Sequence, residues 1–313
     1  MLRVIGVGDN VCDKYLHTGT IYPGGNALNV AVFCRMLGAE AAYLGVFGDD
    51  EVGVHVASTA ESLGLDLSRC HYEQGENGLA RVALVDGDRV FLPGNRGGVS
   101  REKPPMLTAE DGAYLASFDL VHTSVYSFME ESLGVMMASG AFVSMDFSDR
   151  RELDYLQGCA PYLDCAEVSC GDMPEAEVLS LCETLLDAGV REMVIATRGA
   201  KGAVLHTGDR IYRQSPNLIR AKDTMGAGDS FIACFLYHYL SGRGDASDFP
   251  VCGEAQGIVT AEEYLDALIR ASLYRAACFS ARQCLRNGSF GHGKPVGLTD
   301  ADRNALAEFQ TRE

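Results

Sequence analysis

Residues 223–231 read Asp-Thr-Met-Gly-Ala-Gly-Asp-Ser-Phe, and no other segment of this chain is as informative. Three small residues, Gly226, Ala227 and Gly228, precede an apolar run at helical spacing from Phe231 to Leu240. Small residues at the start of a helix leave its backbone N–H groups open to an anion, and the helix dipole favours negative charge there. The segment therefore predicts a helix whose first turn can hold a phosphoryl group during transfer.

Asp229 falls in the first turn of this helix. A carboxylate beside a bound phosphoryl group is well placed to accept a proton from an attacking hydroxyl, as a general base does. A carboxylate that only caps the helix start has the same local composition. On composition alone the capping interpretation is favoured, and only the full nine-residue pattern favours the base.

The chain before this helix alternates short apolar runs with amphipathic segments. Buried strands are predicted at Val4–Val7, Ala42–Phe47, Leu120–Thr123, Phe142–Met145, Cys165–Val168 and Met193–Ala196. Helices are predicted at Ala27–Leu37, Glu51–Leu63 and Glu175–Ala188. Strands that alternate with helices form βαβ units, so we predict an α/β fold with a mostly parallel central sheet and helices on both faces.

Two hairpins interrupt the alternation. Leu79–Val85 and Arg89–Leu92 flank Asp86-Gly87-Asp88, and Asp-Gly between such runs is a strong hairpin signal. With an extended piece at Cys12–Ile21, this hairpin is expected to form a small sheet outside the main one. A second hairpin is predicted within Ala203–Arg213.

The C-terminal part contains a segment without clear periodicity. Ser241–Ile258 is rich in Gly, Asp and Ser, and we expect a long surface loop there. A helix is predicted at Thr260–Leu285 and a loop at Gly288–Gly297. Because the sequence has no internal repeat, we take residues 1–313 as one domain.

The composition is that of a globular protein with a strong acidic excess. Lys and Arg number 26 and Asp and Glu 43, which gives a net charge of −17, while 47% of the residues are hydrophobic. This charge argues against nucleic acid as a main partner, although a nucleotide needs only a locally positive pocket. The eleven cysteines are scattered without a CxxC pair, which is typical of free buried thiols in a reducing compartment. The N-terminus turns polar early and no apolar run reaches about 18 residues, so we expect a cytoplasmic protein without a membrane partner.

Six features of the sequence resemble, in order, the motifs of the ribokinase-like (PfkB) family of carbohydrate kinases. The segment at 223–231 is similar to the family signature D-T-x-G-A-G-D. The others are Asp9 after the first strand, GGNALNVA at 24–31, GVFGDDEVG at 45–53, DFSDR at 146–150 and TRGAKG at 197–202. P-loop, dinucleotide, HExxH and GxSxG motifs are absent from the sequence. The resemblance implies a ribokinase-like fold, a β-sheet lid made of residues 11–22 and 78–98, and ATP-dependent phosphorylation of a primary hydroxyl.

The resemblance also assigns roles to individual residues. Asp229 matches the catalytic base, and Gly226, Ala227 and Gly228 match the anion-binding turn. The residues that match sugar-binding positions are Asp9, Asp13, Gly24, Gly25, Asn26, Asn29 and Arg150. Ordinary structural roles remain open for several of them: turns for Asp9 and Asp13, a helix cap for Asn26 and a surface charge for Arg150.

Further positions match the nucleotide and metal sites of the family. Thr197, Gly199, Gly202 and Thr224 match residues that bind ATP, although Gly199 and Gly202 also suit a plain turn. Asp223 matches a monovalent-cation site that takes K⁺ in relatives, with a helix cap as the alternative. Most relatives carry N-x-x-E where this chain has Ser169-Cys170-Gly171-Asp172, so Asp172 is the candidate to replace the Glu that organises Mg²⁺.

Within the family, the sequence resembles the fructoselysine 6-kinase group. The matching segments are 8–13, 22–34, 86–91, 145–149 and 223–231. This resemblance implies that the acceptor is O6 of a fructosamine, and it implies a homodimer formed through the lid. Kinases for fructose, ribose, a 2-keto-3-deoxy sugar acid or a nucleoside remain alternatives, as does a sugar-binding relative without catalytic activity.

Overall fold

A computed structural model describes residues 1–85, 88–244 and 260–310. Its strands, in chain order, are β1 (Arg3–Gly8), β2 (Val11–Tyr15), β3 (Thr20–Gly24), β4 (Glu40–Gly48), β5 (His71–Glu73), β6 (Leu79–Val85), β7 (Asp88–Leu92), β8 (Leu120–Ser124), β9 (Phe142–Asp146), β10 (Cys165–Ser169), β11 (Met193–Thr197), β12 (Ala203–His206), β13 (Ile211–Gln214) and β14 (Lys294–Pro295). Its helices are α1 (Asn26–Leu37), α2 (Glu51–Ser62), α3 (Val99–Glu102), α4 (Ala109–Leu115), α5 (Leu133–Ala138), α6 (Leu153–Cys159), α7 (Glu175–Asp187), α8 (Ala227–Gly244), α9 (Ala261–Gln283) and α10 (Asp300–Gln310).

The main sheet has nine strands in the order β13-β12-β11-β10-β9-β8-β1-β4-β5. Neighbours from β11 to β5 pair in parallel, while β12 and β13 add an antiparallel edge. The central strands are buried along nearly their whole length, because helices cover both faces. This sheet confirms the predicted α/β class, and the second predicted hairpin forms its antiparallel edge.

The two faces of the main sheet hold separate hydrophobic clusters. One cluster packs α1, α8 and α9 against the sheet and includes Phe33 and Phe235. The other packs α4 to α7 against the opposite face and includes Leu133 and Leu156. The first cluster fixes the N-termini of α1 and α8 at the same edge of the sheet, where the carboxyl ends of β1 and β9 also lie.

A separate five-stranded sheet, the small sheet, has the order β14-β3-β2-β6-β7. It contains the predicted hairpin β6–β7, of which residues 86 and 87 lie outside the described part of the chain. The expectation of a single extended piece at Cys12–Ile21 is wrong, because β2 and β3 are two antiparallel strands. The turn between them closes through hydrogen bonds from the Thr18 and Gly19 amides to the Tyr15 carbonyl, and Gly19 has a positive φ.

The C-terminal helix α10 covers the outer face of the small sheet. Leu306 and Phe309 pack against Leu16, Ala83 and Leu92 of that face. Neither this helix nor β14, which lies within the expected loop Gly288–Gly297, was predicted from the sequence. The expected loop Ser241–Ile258 begins with the last turn of α8, and its remaining residues lie outside the described part of the chain.

Buried ion pairs fasten α10 to the small sheet. Asp302 is fully buried and lies 2.5 Å from the Lys14 Nζ and 2.8 Å from the Arg81 Nε. Burial alone would raise the pKa of Asp302, but hydrogen bonds from these two cations and from Thr299 hold it well below its usual range.

Two further findings concern the composition. The ten described cysteines are all free thiols and eight of them are buried, as predicted. In the described ranges, no helix is long and apolar enough to cross a membrane.

Candidate active site

Two cavities meet at the N-terminus of α8. The first, the acceptor cleft, has a volume of about 720 Å³ and lies between the main sheet and the small sheet. The second, the nucleotide cavity, has about 610 Å³ and lies beside β11 and α9. Both are lined by Ser169, Thr197, Thr224, Ala227 and Gly228. A group held at this junction is therefore accessible from both cavities.

Asp229 lies in the first turn of α8 and lines the acceptor cleft. Its Oδ1 accepts a hydrogen bond of 2.9 Å from Asn26 Nδ2, and its Oδ2 accepts one from Asn29 Nδ2. Burial raises the pKa of Asp229 to about 6, although the two amide donors oppose this rise. The carboxylate is therefore oriented from both sides and can change its protonation state close to neutral pH.

A chain of hydrogen bonds fixes the orientation of the Asn26 amide. Asn26 Nδ2 also donates to Asp146 Oδ2 at 2.8 Å, so Asn26 Oδ1 must accept. It accepts from His122 Nε2 at 2.8 Å, and His122 Nδ1 lies 2.7 Å from Ser144 Oγ. Burial lowers the pKa of His122 to about 3, so the ring is neutral and carries its proton on Nε2.

Asp146 adds a second carboxylate to the floor of the acceptor cleft. It ends β9, is 6% exposed and also accepts a hydrogen bond from the Ser148 amide at 2.7 Å. Burial and the nearby charge of Asp229 raise the pKa of Asp146 to about 7. Asp146 and Asp229, joined through Asn26, thus titrate as a pair.

The carboxylate of Asp9 caps helix α1. Its oxygens accept hydrogen bonds from the Asn26 and Ala27 amides and from the Ser124 and Ser127 hydroxyls, at 2.6 to 3.1 Å. Four donors take up the usual acceptor capacity of a carboxylate. The sugar-binding role of Asp9 stays a prediction, beside a structural role that is visible in these contacts.

Three further predicted sugar-binding residues line the acceptor cleft. Asp13 in β2 is 5% exposed and lines the cleft, as do Gly25 and Asn29. Gly24 does not line it, but a side chain there would lie 3.1 Å from Asp13 Oδ2. The Oδ1 atom of Asn29 is buried and has no hydrogen-bond partner among the described residues. A buried acceptor of this kind is costly unless a ligand donates to it, and a hydroxyl can do so.

The nucleotide cavity is bounded by the remaining predicted motif. Thr197, Gly199, Gly202 and Thr224 all line it. Gly202 has a φ of 90°, and an added Cβ would lie only 2.0 Å from the Gln214 carbonyl oxygen. At Gly228, by contrast, an added Cβ would meet nothing within 4 Å and would point into open space. Packing against Gln214 therefore requires glycine at position 202, whereas the open space at Gly228 lets a phosphate chain approach the backbone closely.

The sequence of this chain matches a known family model over most of its length. Residues 1–249 match the model described as pfkB family carbohydrate kinase. This chain belongs to that family. It is accordingly an ATP-dependent sugar kinase.

Two curated relatives match this kinase over most of their length. Fructosamine kinase FrlD of Bacillus subtilis is 38% identical over 300 residues, which cover 96% of each chain. Fructoselysine 6-kinase of Escherichia coli is 35% identical over 242 residues, which cover 77% of this kinase and 91% of the relative.

Solved structures show the same fold at lower identity. The ribokinase of Giardia lamblia matches with a TM-score of 0.74 at 15% identity, covering 98% of this kinase and 99% of that chain. A fructokinase of Vibrio cholerae, bound to fructose, ADP and calcium, matches with 0.68 at 21% identity and the same coverage. These likenesses confirm the expected ribokinase-like architecture.

Three predicted site residues of the kinase lie away from the junction of the cavities. Asp172 is exposed and forms an ion pair with Arg151 at 2.7 Å. Asp223 is buried outside both cavities, where it accepts hydrogen bonds from Tyr15, Met225 and Gly288. Among the described residues, no cluster of three or more His, Cys, Asp or Glu side chains could hold a metal ion.

Arg150 is the third of these residues. Its guanidinium lies 3.5 Å from the Tyr155 ring centroid and 3.2 Å from Glu152, and it lines a side cavity next to the acceptor cleft. The two cavities have Tyr126 and Phe128 in common. A role for Arg150 in substrate binding stays a prediction.

Sequence reasoning missed several residues that line or support the acceptor cleft. They are Asn10, Arg96, Arg101, His122, Tyr126, Phe128 and Ser289. His122 gave no signal because a single histidine in an apolar strand has no local pattern. The arginines follow the hairpin β6–β7 without a helix or strand period, so only the fold brings them to the cleft.

Proposed function

We propose that this kinase transfers the γ-phosphoryl group of ATP to O6 of a fructosamine such as fructoselysine. The observation that carries the proposal is the 38% identity to a fructosamine kinase along 96% of both chains. The chemistry of the cleft supports it. Carboxylates and amide groups on its floor suit a ligand with several hydroxyls, since they accept and donate hydrogen bonds.

In the proposed reaction, Asp229 accepts the proton of the O6 hydroxyl as O6 attacks the γ-phosphorus. The O6–P bond forms, the bond from the γ-phosphorus to the β-phosphate oxygen breaks, and ADP leaves. Backbone N–H groups of Ala227, Gly228 and Asp229 stabilise the charge on the transferring group. Such transfer depends mainly on positioning, and the Asn26 and Asn29 contacts supply it for the base.

Metal ions enter this proposal only with the nucleotide. Mg²⁺ is usually held by phosphates, water and few protein carboxylates, and Asp172 is engaged by Arg151. No step of the proposed reaction therefore uses a protein-bound metal. A monovalent cation beside Asp223 stays part of the proposal, and comparison of turnover in K⁺ with turnover in Na⁺ tests it.

The test is ADP release with Mg²⁺·ATP across a panel of acceptors: fructoselysine, other fructosamines, fructose, ribose, a 2-keto-3-deoxy sugar acid and nucleosides. We expect the highest kcat/KM with fructosamines and a product phosphorylated at C6 by NMR. Asp229→Asn should fold normally and lower kcat by about 10³-fold or more, because the base is lost. Asp209→Asn, which removes an exposed carboxylate, is the matched control.

Each other outcome of this panel has a definite meaning. Turnover of free sugars or nucleosides alone would refute the fructosamine acceptor and leave the kinase activity supported. A variant Asp229→Asn that turns over like the unaltered protein would refute the proposed base. Silence with every acceptor would favour a sugar-binding relative without catalysis.

We also propose a homodimer through the small sheet. Its outer face is covered by α10, so the contact must use an edge, and β7 pairs with β6 alone among the described strands. Light scattering should give twice the chain mass of 33.6 kDa. A monomer at working concentration would exclude this contact.

A further inference from the structure

Two arginines stand at the acceptor cleft without a charged partner. Arg96 follows β7 and Arg101 lies in α3, and both are exposed and line the cleft. Within the described ranges, neither side chain forms an ion pair or a hydrogen bond, in a chain with a net charge of −17. Most other arginines in this structure are paired with carboxylates, as Arg81, Arg191 and Arg213 are.

An aromatic wall accompanies these two cations. The Arg101 guanidinium lies 5.7 Å from the Phe128 ring centroid, and a side chain at Gly97 would come within 3.7 Å of the same ring. Tyr126, which also lines the cleft, is 52% exposed and donates a hydrogen bond of 3.2 Å to Ser148 Oγ. The cleft thus has an acidic floor and a side lined by cationic and aromatic groups.

Backbone strain is concentrated at the same cleft. In the described part of the chain, four residues other than glycine have a positive φ: Arg96, Phe128, Ser148 and His292. Three of these four line the acceptor cleft. Such conformations are unfavourable and persist where the surrounding structure imposes them, often at ligand sites. Arg96 and Phe128 are therefore held in place and are not free loop residues.

The acidic floor and the cationic side of the cleft together indicate what kind of ligand binds there. Hydroxyls suit the carboxylate and amide floor, whereas guanidinium groups bind planar carboxylates with two parallel hydrogen bonds. A fructosamine made from an amino acid carries both parts, a polyhydroxylated sugar and a carboxylate on the amine portion. A fructosamine made from an amine without a carboxylate has only the sugar.

We propose that Arg96 and Arg101 form a carboxylate subsite that selects fructosamines of amino acids over fructosamines whose amine portion has no carboxylate. The proposal rests on the proposed fructosamine kinase function and specifies its substrate class. It also explains why a strongly acidic protein keeps two unpaired guanidinium groups beside four carboxylates of the cleft: Asp9, Asp13, Asp146 and Asp229.

The test compares fructosylglycine, which ends in a carboxylate, with fructosylglycinamide, which ends in an uncharged amide, at a pH where the amine of both is in the same protonation state. The unaltered kinase should prefer fructosylglycine about tenfold or more in kcat/KM, as expected for a charge-assisted hydrogen bond. In Arg96→Gln and Arg101→Gln, kcat/KM for fructosylglycine should fall about tenfold further than that for fructosylglycinamide. Arg303→Gln, which changes an exposed arginine on α10 outside the cleft, should leave the preference unchanged.

Two further readouts separate this subsite from other roles of the arginines. The KM for ATP should not change, because a change would assign the arginines to phosphate. Calorimetric titration of fructosylglycine into Asp229→Asn, with and without Arg96→Gln, should show the same loss of affinity without turnover. Thermal unfolding of each variant shows that it is folded.

Several results would overturn the proposal. Equal kcat/KM values for the two substrates in the unaltered kinase would refute the subsite and leave the fructosamine kinase function intact. Equal losses for both substrates in the arginine variants would also refute it. No turnover of either substrate, with turnover of another sugar, would refute the fructosamine function and the subsite together.

Discussion

At the scale of single residues, the proposed role of Asp229 as the base predicts the pH dependence of turnover. The base must be ionised, and burial has raised its pKa to about 6. We therefore expect kcat/KM to be nearly constant above this value and to fall about tenfold per pH unit below it. In Asp146→Asn the falling limb should stay near the same pH, because Asp146 has the higher pKa and is already mostly neutral when Asp229 titrates. A profile without this falling limb would contradict the proposed base.

His122 provides the second prediction at this scale, as a residue that positions the base through Asn26. His122→Leu leaves Asn26 Oδ1 without its donor, so the amide can rotate and its hydrogen bond to Asp229 weakens. That hydrogen bond lowers the pKa of Asp229, so its loss should move the acid limb to higher pH. We expect kcat to fall about tenfold, with loss of about 1–3 kcal/mol of stability.

His122→Gln is the informative control for that prediction. A glutamine amide can donate from nearly the position of Nε2 and should restore part of kcat and the original limb. Equal effects of Leu and Gln would mean that His122 acts through packing alone.

At the scale of elements, a substitution at the start of α8 should separate effects on stability from effects on turnover. Gly228→Ala adds a Cβ that meets no protein atom within 4 Å, and alanine favours a helix by up to about 1 kcal/mol over glycine. Stability should therefore stay equal or rise, whereas kcat/KM for ATP should fall at least tenfold, because the methyl group enters the space proposed for the phosphoryl group.

Gly158→Ala in α6 is the matched change for this test. It also adds a Cβ in open space on a helix, but Gly158 lines neither cavity. It should raise stability similarly and leave turnover unchanged. Unaltered turnover in Gly228→Ala would refute the proposed anion-binding role of this turn.

The elements also show what local sequence can predict. The hairpin β6–β7 and the strands of the main sheet follow from a short turn signal and from apolar runs, which are local patterns. The turn at residues 16–19 was missed because its first residue, Leu16, is apolar and packs under α10. Helix α10 was missed although it has a local signal: Thr299 and Asp302 cap its start reciprocally, and Leu306 and Phe309 recur three residues apart on the face that packs against the small sheet.

The residues of the candidate active site also divide into those that local motifs predict and those that only the fold brings together. Asp229 was predicted as the base and Asn26 and Asn29 as sugar-binding residues, and the fold brings all three within hydrogen-bond distance. His122 was not predicted because its partners Asn26 and Ser144 are distant in sequence. The two arginines of the cleft were not predicted because they follow the hairpin β6–β7 without a local pattern. The capping of α1 by Asp9 was missed because Asp9 and Asn26 lie on different elements.

At the scale of the whole molecule, the ion pairs of Asp302 join the C-terminus to the small sheet that borders the cleft. Asp302→Ala removes the partner of Lys14, which is only 5% exposed, and leaves a buried cation uncompensated. The expected cost is about 3–5 kcal/mol, visible as a fall of several degrees in Tm. Asp300→Ala is the control, because this carboxylate on the same helix is almost fully exposed and should change Tm by less than a degree.

The sign of the pH dependence gives an independent check on this ion-pair cluster. Asp302 has a depressed pKa in the folded state, so its stabilisation is complete above the unfolded value near 4 and is lost as pH falls toward the folded value. The difference in Tm between the unaltered kinase and Asp302→Ala should therefore be largest at neutral pH and shrink below pH 4. A difference that is constant with pH would mean that packing of α10, rather than the charge of Asp302, holds the C-terminus against the small sheet.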